Sequence, residues 1–149
     1  MKGVDALSEI TIHRPIAEVA DFASEPDHAT RWYVNIKAVE WKTARPLQVG
    51  TRAAFIAQFL GKRLEYTYEF VEFRAREKLV MRTAEGPFPM ETTYTWESIS
   101  SSETRMTLRN RGMPSGFSKL FAPFMAFAMK KANQKDLLKL KQVLEGIPA

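Results

Sequence analysis

METTYTWESI, residues Met90 to Ile99, is the stretch on which the fold turns. Met90, Thr92, Tyr94 and Trp96 fall on one parity, and Glu91, Thr93, Thr95 and Glu97 on the other. Period-two alternation sends successive side chains to opposite faces of a β-strand. One face is aromatic and the other charged, as in an antiparallel sheet that is covered on one side and wet on the other. Upstream, Tyr66, Tyr68 and Phe70 oppose Glu65, Thr67 and Glu69; downstream, Met106 and Leu108 oppose Arg105, Thr107 and Arg109. Only EKLVMRTAE (77–85) does not resolve, because Leu79 and Met81 share one parity while Val80 and Arg82 share the other.

Working outward, IKAVEWKT (36–43), TRAAFIAQFL (51–60), RLEYTYEFVEF (63–73) and TRMTLRNR (104–111) also read as strands. Their links are short, so each should pair antiparallel with its sequence neighbour. Gly61-Lys62 supplies a glycine at the first central position of a tight hairpin. Before them come a strand, ALSEITIH (6–13), and a short helix, RPIAEVADFASE (14–25), with Pro15 at its first position and a stripe of Ile16, Val19, Ala20 and Ala23. Pro26 ends that helix, and Asp27 is read as the cap of a second short one in PDHATRWY (26–33). After GMPSG (112–116) a long helix is expected from about Phe117 to Leu144, with Gly146 as its stop. Ala122, Ala126, Met129, Asn133, Leu137, Leu140 and Leu144 form one continuous line along it. Phe117, Leu120, Phe121 and Phe124 form a second stripe on nearly the opposite side. Pro123 should kink the helix or mark the start of its main segment.

The chain's 149 residues suit a single domain, 1–149, and 45% hydrophobic with 26% charged residues argues against disorder. Cysteine is absent, which removes disulfide and thiol chemistry. The start, MKGVDALSEI, has no apolar run of signal-peptide length, so a cytoplasmic location is expected. The ten apolar residues from Leu120 to Met129 are too few for a bilayer span of about 20. The net charge of +5 is dispersed, and Lys130, Lys131, Lys135, Lys139 and Lys141 read as a solvated helix surface. Nucleic-acid binding is not expected, since no binding motif accompanies the charge. His13 and His28 are distant in sequence and there is no cysteine, so no metal constellation emerges. Phosphate-cradling loops and nucleophile elbows are also missing, and no cofactor is implied.

The order of elements, together with PIAEVADFASEPDHATRWY, VGTRAAF, GPFPMETTYTWE, TRMTL and LLKLKQVLE, resembles the polyketide cyclase/dehydrase and lipid-transport superfamily over roughly residues 6 to 145. This is the START-like, helix-grip group (SRPBCC) that includes the birch pollen allergen fold. The resemblance implies an α+β helix-grip fold. A strongly curved, seven-stranded antiparallel sheet would wrap a long C-terminal helix, with two short helices between strands 1 and 2 and a hydrophobic cavity inside. Packing points the same way, because a curved sheet and a straight helix touch along one line and leave a gap unless large side chains fill it. Small residues at Ala122 and Ala126 place the expected hollow beside the first half of the helix, near Ala126, with Leu137, Leu140 and Leu144 closing the far end.

The expected ligand-binding residues are Trp32, Phe55, Phe59, Tyr66, Tyr68, Arg82, Tyr94, Trp96, Met106, Phe121, Met125 and Met129. Buried phenols and indoles need hydrogen-bond partners, which a wet or occupied pocket supplies more easily than a dry core. Core filling is the plain alternative. An inward Arg82 could bind a carboxylate, phenolate or enolate, although Leu79 and Met81 form the better apolar face. Glu40 lies opposite Val39 and Trp41 and is expected outside; both histidines read as surface residues. The leading functional expectation is a carrier or sensor binding a lipid, polyketide or isoprenoid. The alternative is a cyclase/dehydrase-type enzyme in the same cavity, which would have to lower a tyrosine pKa to obtain a base. A third reading makes the Phe117–Phe124 stripe an interaction patch for a membrane surface or a second copy of the chain.

Overall fold

The computed structural model describes residues 4–59, 61–85, 89–112 and 122–146, with backbone alone at 59 and 122–125. Strand β1 spans Val4–Ile12 and is followed by α1 (Ile16–Ser24), a 3-10 turn (Pro26–His28) and α2 (Ala29–Trp32). Six strands follow: β2 (Ile36–Trp41), β3 (Arg52–Phe59), β4 (Lys62–Arg74), β5 (Lys78–Glu85), β6 (Met90–Ser100) and β7 (Glu103–Gly112). Helix α3 (Ala122–Glu145) completes the chain. All seven strands form one antiparallel sheet in the order β1-β7-β6-β5-β4-β3-β2, curled into a half-barrel around α3.

The alternation in the sequence fixes the faces. Tyr94, Trp96, Met106 and Leu108 all point into the main core with Leu79 and Met81, which settles the ambiguous strand. Register shifts between Thr67 and Tyr68 and between Phe70 and Glu72 break the parity of β4, so Phe73 as well as Phe70 packs inward. Phe59 pairs with Lys62, so Lys62 belongs to β4 and not to the turn expected at Gly61-Lys62; Gly61 adopts φ 77°. Asp27 does not cap α2. Glu25 accepts from the Asp27 N–H, while the Asp27 carboxylate takes the Trp41 indole N–H at 2.8 Å and the Arg45 guanidinium.

Pro123 sits in the first turn of α3, where its missing N–H costs nothing, so it serves the start of the helix. The inner line of α3 is Met129, Asn133, Asp136, Leu137 and Leu140, all buried. The helix lies chiefly along β1, with lesser contact to β7, α1 and α2. At its far end Glu145 accepts from the His13 backbone N–H at 2.7 Å and pairs with Lys141, which also bonds the Thr11 carbonyl. Leu137 and Leu140 seal the core beside Trp32, which is 0% exposed. The stripe residues Phe117, Leu120 and Phe121 lie outside the described residues, as does the Phe124 side chain. Phe127 is exposed under the Lys131 ammonium.

Gly112 pairs with both Val4 and Met90, where three strands meet. A Cβ added there would stand 2.7 Å from the Pro89 carbonyl oxygen, inside contact distance of backbone that cannot swing away. Gly112→Ala should therefore lower stability by about 1–3 kcal/mol in urea unfolding. An unchanged midpoint would show that the strands part there without cost.

Candidate functional site

A cavity of about 140 Å³ lies between α3 and the inner face of the sheet. Phe55 and Ala57 of β3, Leu64, Tyr66 and Tyr68 of β4, Met81 of β5, and Met90, Thr92 and Tyr94 of β6 form one side. Met129, Ala132, Asn133 and Asp136 of α3 form the other, with Tyr33, Asn35 and Ile36 at one end and Asn110 at the back. The small side chains Ala57 and Ala132 leave the space open. The hollow was expected near Ala126; this cavity lies beside Met129, Ala132, Asn133 and Asp136, and Ala126 packs against Val4, Ala6, Met90 and Met129.

Five of the expected residues line this space: Phe55, Tyr66, Tyr68, Tyr94 and Met129. Trp32, Trp96 and Met106 belong instead to the packed core. Among the described residues neither indole N–H of Trp32 or Trp96 has a hydrogen-bond partner, so both act as apolar volume. Phe121 lies outside the described residues, and the side chains of Phe59 and Met125 are likewise outside them. Arg82 requires a correction. Its guanidinium lies on the outer face and donates to Glu91 at 2.7 Å, because Leu79 and Met81 take the inner parity of β5. His13 is exposed beside Glu103 and Glu145, and His28 lies outside the cavity with its ring nitrogen 2.9 Å from the Phe22 carbonyl. Glu40 is exposed and pairs with Lys42.

The cavity's polar groups form two sets. In the first, Tyr68 shares a hydrogen bond with Thr92, whose hydroxyl donates to Asn110. Asn110 donates to Asn133 at 2.8 Å, and Asn133 donates to the Ala6 carbonyl at 3.3 Å, tying α3 to β1. In the second, the Tyr33 and Tyr94 hydroxyls bond each other, and the Asp136 carboxylate accepts the Val34 backbone N–H at 2.8 Å. Burial pushes the Tyr68 phenol up to about 12, and raises Tyr33, Tyr66 and Tyr94 as well. These phenols are held neutral, the reverse of what a tyrosinate base requires. Burial also lifts the Asp136 carboxyl to about 7, against a lowering pull from the Val34 N–H and from Lys139.

Asp136, Asn133, Asn110 and Tyr33 are the hydrogen-bonded groups of the wall, besides Thr92, that were not among the expected ligand-binding residues. Asp136 had a signal. It follows Met129 by seven residues and Asn133 by three, which puts a carboxylate on the inner stripe of the helix. A second hollow, of about 350 Å³, lies on the outer sheet face between Lys78, Arg82, Glu91, Arg109 and Arg111. Its charges are largely engaged, with Arg82 on Glu91, Lys78 on Glu72 and Arg109 on Asp5. Among the described residues no group of three or more His, Cys, Asp or Glu side chains is placed to hold a metal ion, and no helix is long and apolar enough to cross a membrane.

A half-barrel sheet gripping one long helix around an apolar cavity defines a START-like helix-grip protein. The chain belongs to the polyketide cyclase / dehydrase and lipid transport family, whose model matches residues 4–145. Solved structures agree at the level of the fold. A protein from Thermus thermophilus superposes with a TM-score of 0.82 at 17% identity, over 97% of this chain and 99% of that one. A START superfamily protein from Mycobacterium smegmatis gives 0.83 at 10% identity, covering 98% and 100%. The Zhui aromatase/cyclase of Streptomyces sp. R1128 gives 0.81 at 12%, covering 95% and 93%. No curated protein matches the chain.

Proposed function

We propose that the protein holds a hydrophobic small molecule in this cavity, as a carrier or sensor. One observation carries the reading: the inner face of the sheet and α3 leave about 140 Å³ unfilled between Phe55, Leu64, Met81, Met90, Met129 and Ala132. An apolar void in a close-packed interior forfeits dispersion contacts that a ligand restores. Three methionines give the wall an adaptable shape. The volume suits one six-membered ring or a short alkyl segment, since cavities of about 150 Å³ take up benzene. The family membership, with its lipid-transport and cyclase members, supports the same class of ligand.

Toluene is a fitting first probe. At about 0.8 kcal/mol per buried carbon its Kd should fall on the order of 0.1–1 mM. Carbon-13 methyl NMR of the methionines should show shifts at Met81, Met90 and Met129. Ala132→Trp should fill the space and weaken toluene binding at least about tenfold, with thermal unfolding confirming that the variant is folded. No shift at saturating toluene, together with native mass spectra that never show a retained ligand, would remove the proposal.

A cyclase-type enzyme is the second reading, and Asp136 is what favours it. A carboxyl held at about 7 inside the same cavity has the range a general acid–base group needs. The role once expected of tyrosine passes to this residue. Turnover of a polyketide-like substrate that is lost in Asp136→Asn would support it.

A further inference from the structure

The cavity's charge is one-sided. Among the described residues Asp136 is the only ionisable side chain on its wall other than tyrosine; no lysine, arginine or histidine lines it. Asp136 is 3% exposed, and among the described residues its carboxylate accepts one hydrogen bond, from Val34. A buried carboxylate with capacity for two or more further donors is under-satisfied. Tyr33 and Tyr94 lie near enough to feel its charge, and the same wall carries the rings of Tyr68, Tyr66 and Phe55; aromatic faces carry partial negative charge. Tyr33 and Tyr94 are engaged with each other, and Lys139 on the same helix is not part of the wall.

Resting on the carrier reading above, we propose that this cavity selects its ligand by head-group charge: it takes a one-ring-sized apolar molecule whose polar end is a hydrogen-bond-donating amine, anchored by Asp136, and rejects carboxylates. An ammonium completes the hydrogen bonding of the carboxylate and meets aromatic faces, the combination that recognises organic cations elsewhere. A carboxylate in the same place would face Asp136 with no cation among the described wall residues to offset it, and like charges in a low-dielectric pocket repel strongly. Fatty-acid-like anions are thereby excluded from a pocket that would otherwise welcome their chains.

The test uses four probes of one size on the full chain at pH 8: toluene, benzyl alcohol, benzylamine and benzoate, read by the methionine methyl shifts. Benzylamine should bind at least about tenfold more tightly than benzoate, with benzyl alcohol between them. In Asp136→Asn, which keeps an acceptor for the Val34 N–H, that ratio should fall below about threefold. A benzylamine-to-benzoate ratio near unity in the parent would overturn charge selection. A ratio that survives in Asp136→Asn would overturn the anchor. In either case, toluene that still binds leaves the carrier reading standing, whereas toluene that fails to bind removes that reading too.

Discussion

Asp136→Asn should make the ligand-free protein more stable at pH 8 by about 4 kcal/mol and leave it nearly unchanged at pH 4. The carboxyl titrates near its ordinary 3.8 in the unfolded chain and at about 7 in the fold, where burial penalises its charge. Between those values the folded protein binds a proton that the unfolded chain has released. Stability therefore falls as pH rises from about 4 to about 7 and is level above that. The gap, at about 1.4 kcal/mol per pH unit, amounts to about 4 kcal/mol. Tyr33 at the end of α2 and Tyr94 on β6 lie near the group, Lys139 adds an opposing pull, and neither tyrosine ionises in this range. Urea unfolding of parent and variant at both pH values measures the difference. An equal difference at pH 4 and pH 8 would mean that the carboxyl is not what titrates. A cost of this size in the empty protein would be the pattern of a binding or catalytic group, whose presence runs against stability.

Trp32→Ala should cost about 3–5 kcal/mol in the same measurement. The indole is fully buried, lies tilted against Tyr33 at 4.2 Å between ring centroids and meets Tyr94 edge-on at 5.7 Å. Removing it opens a void under α2 next to Leu137 and Leu140, whose helix has little freedom to collapse inward. Trp32→Phe should cost much less, because the lost N–H has no partner to leave behind. Trp32→Phe should also leave the benzylamine-to-benzoate ratio intact, since Trp32 supports the cavity wall without forming it. A loss of ligand discrimination with stability unchanged would reverse that assignment.

These two residues show where one-dimensional reading reaches and where it stops. Trp32 is expected from the sequence among the ligand-binding residues, with core filling as the alternative, and which of the two it does depends on the way α2 tilts, set by contacts with α3 about a hundred residues away. Arg82 shows the same limit on a strand. Three consecutive buried residues, Leu79, Val80 and Met81, carry no parity, and only pairing with β4 and β6 turns Arg82 outward onto Glu91. The aromatic alternation of Met90–Trp96, by contrast, placed Tyr94 on the inner face because nothing in β6 disturbs its pleat until after Ser98.

The curved sheet gripping a long helix was what the family resemblance implied; the amino-acid pattern alone determined the elements and their faces. Short links forced antiparallel neighbours, alternating residues assigned each sheet face, and an apolar line marked the inner side of the terminal helix. These are local periodicities, and backbone geometry enforces them whatever lies beyond. The cavity's position and chemistry were decided by tertiary structure. Ala126 and Met129 pack with Val4, Ala6 and Met90, and the cavity lies beside Ala132, where burial raises the pKa of Asp136. Burial and dielectric belong to the assembled surroundings of a residue, and no window of sequence contains them.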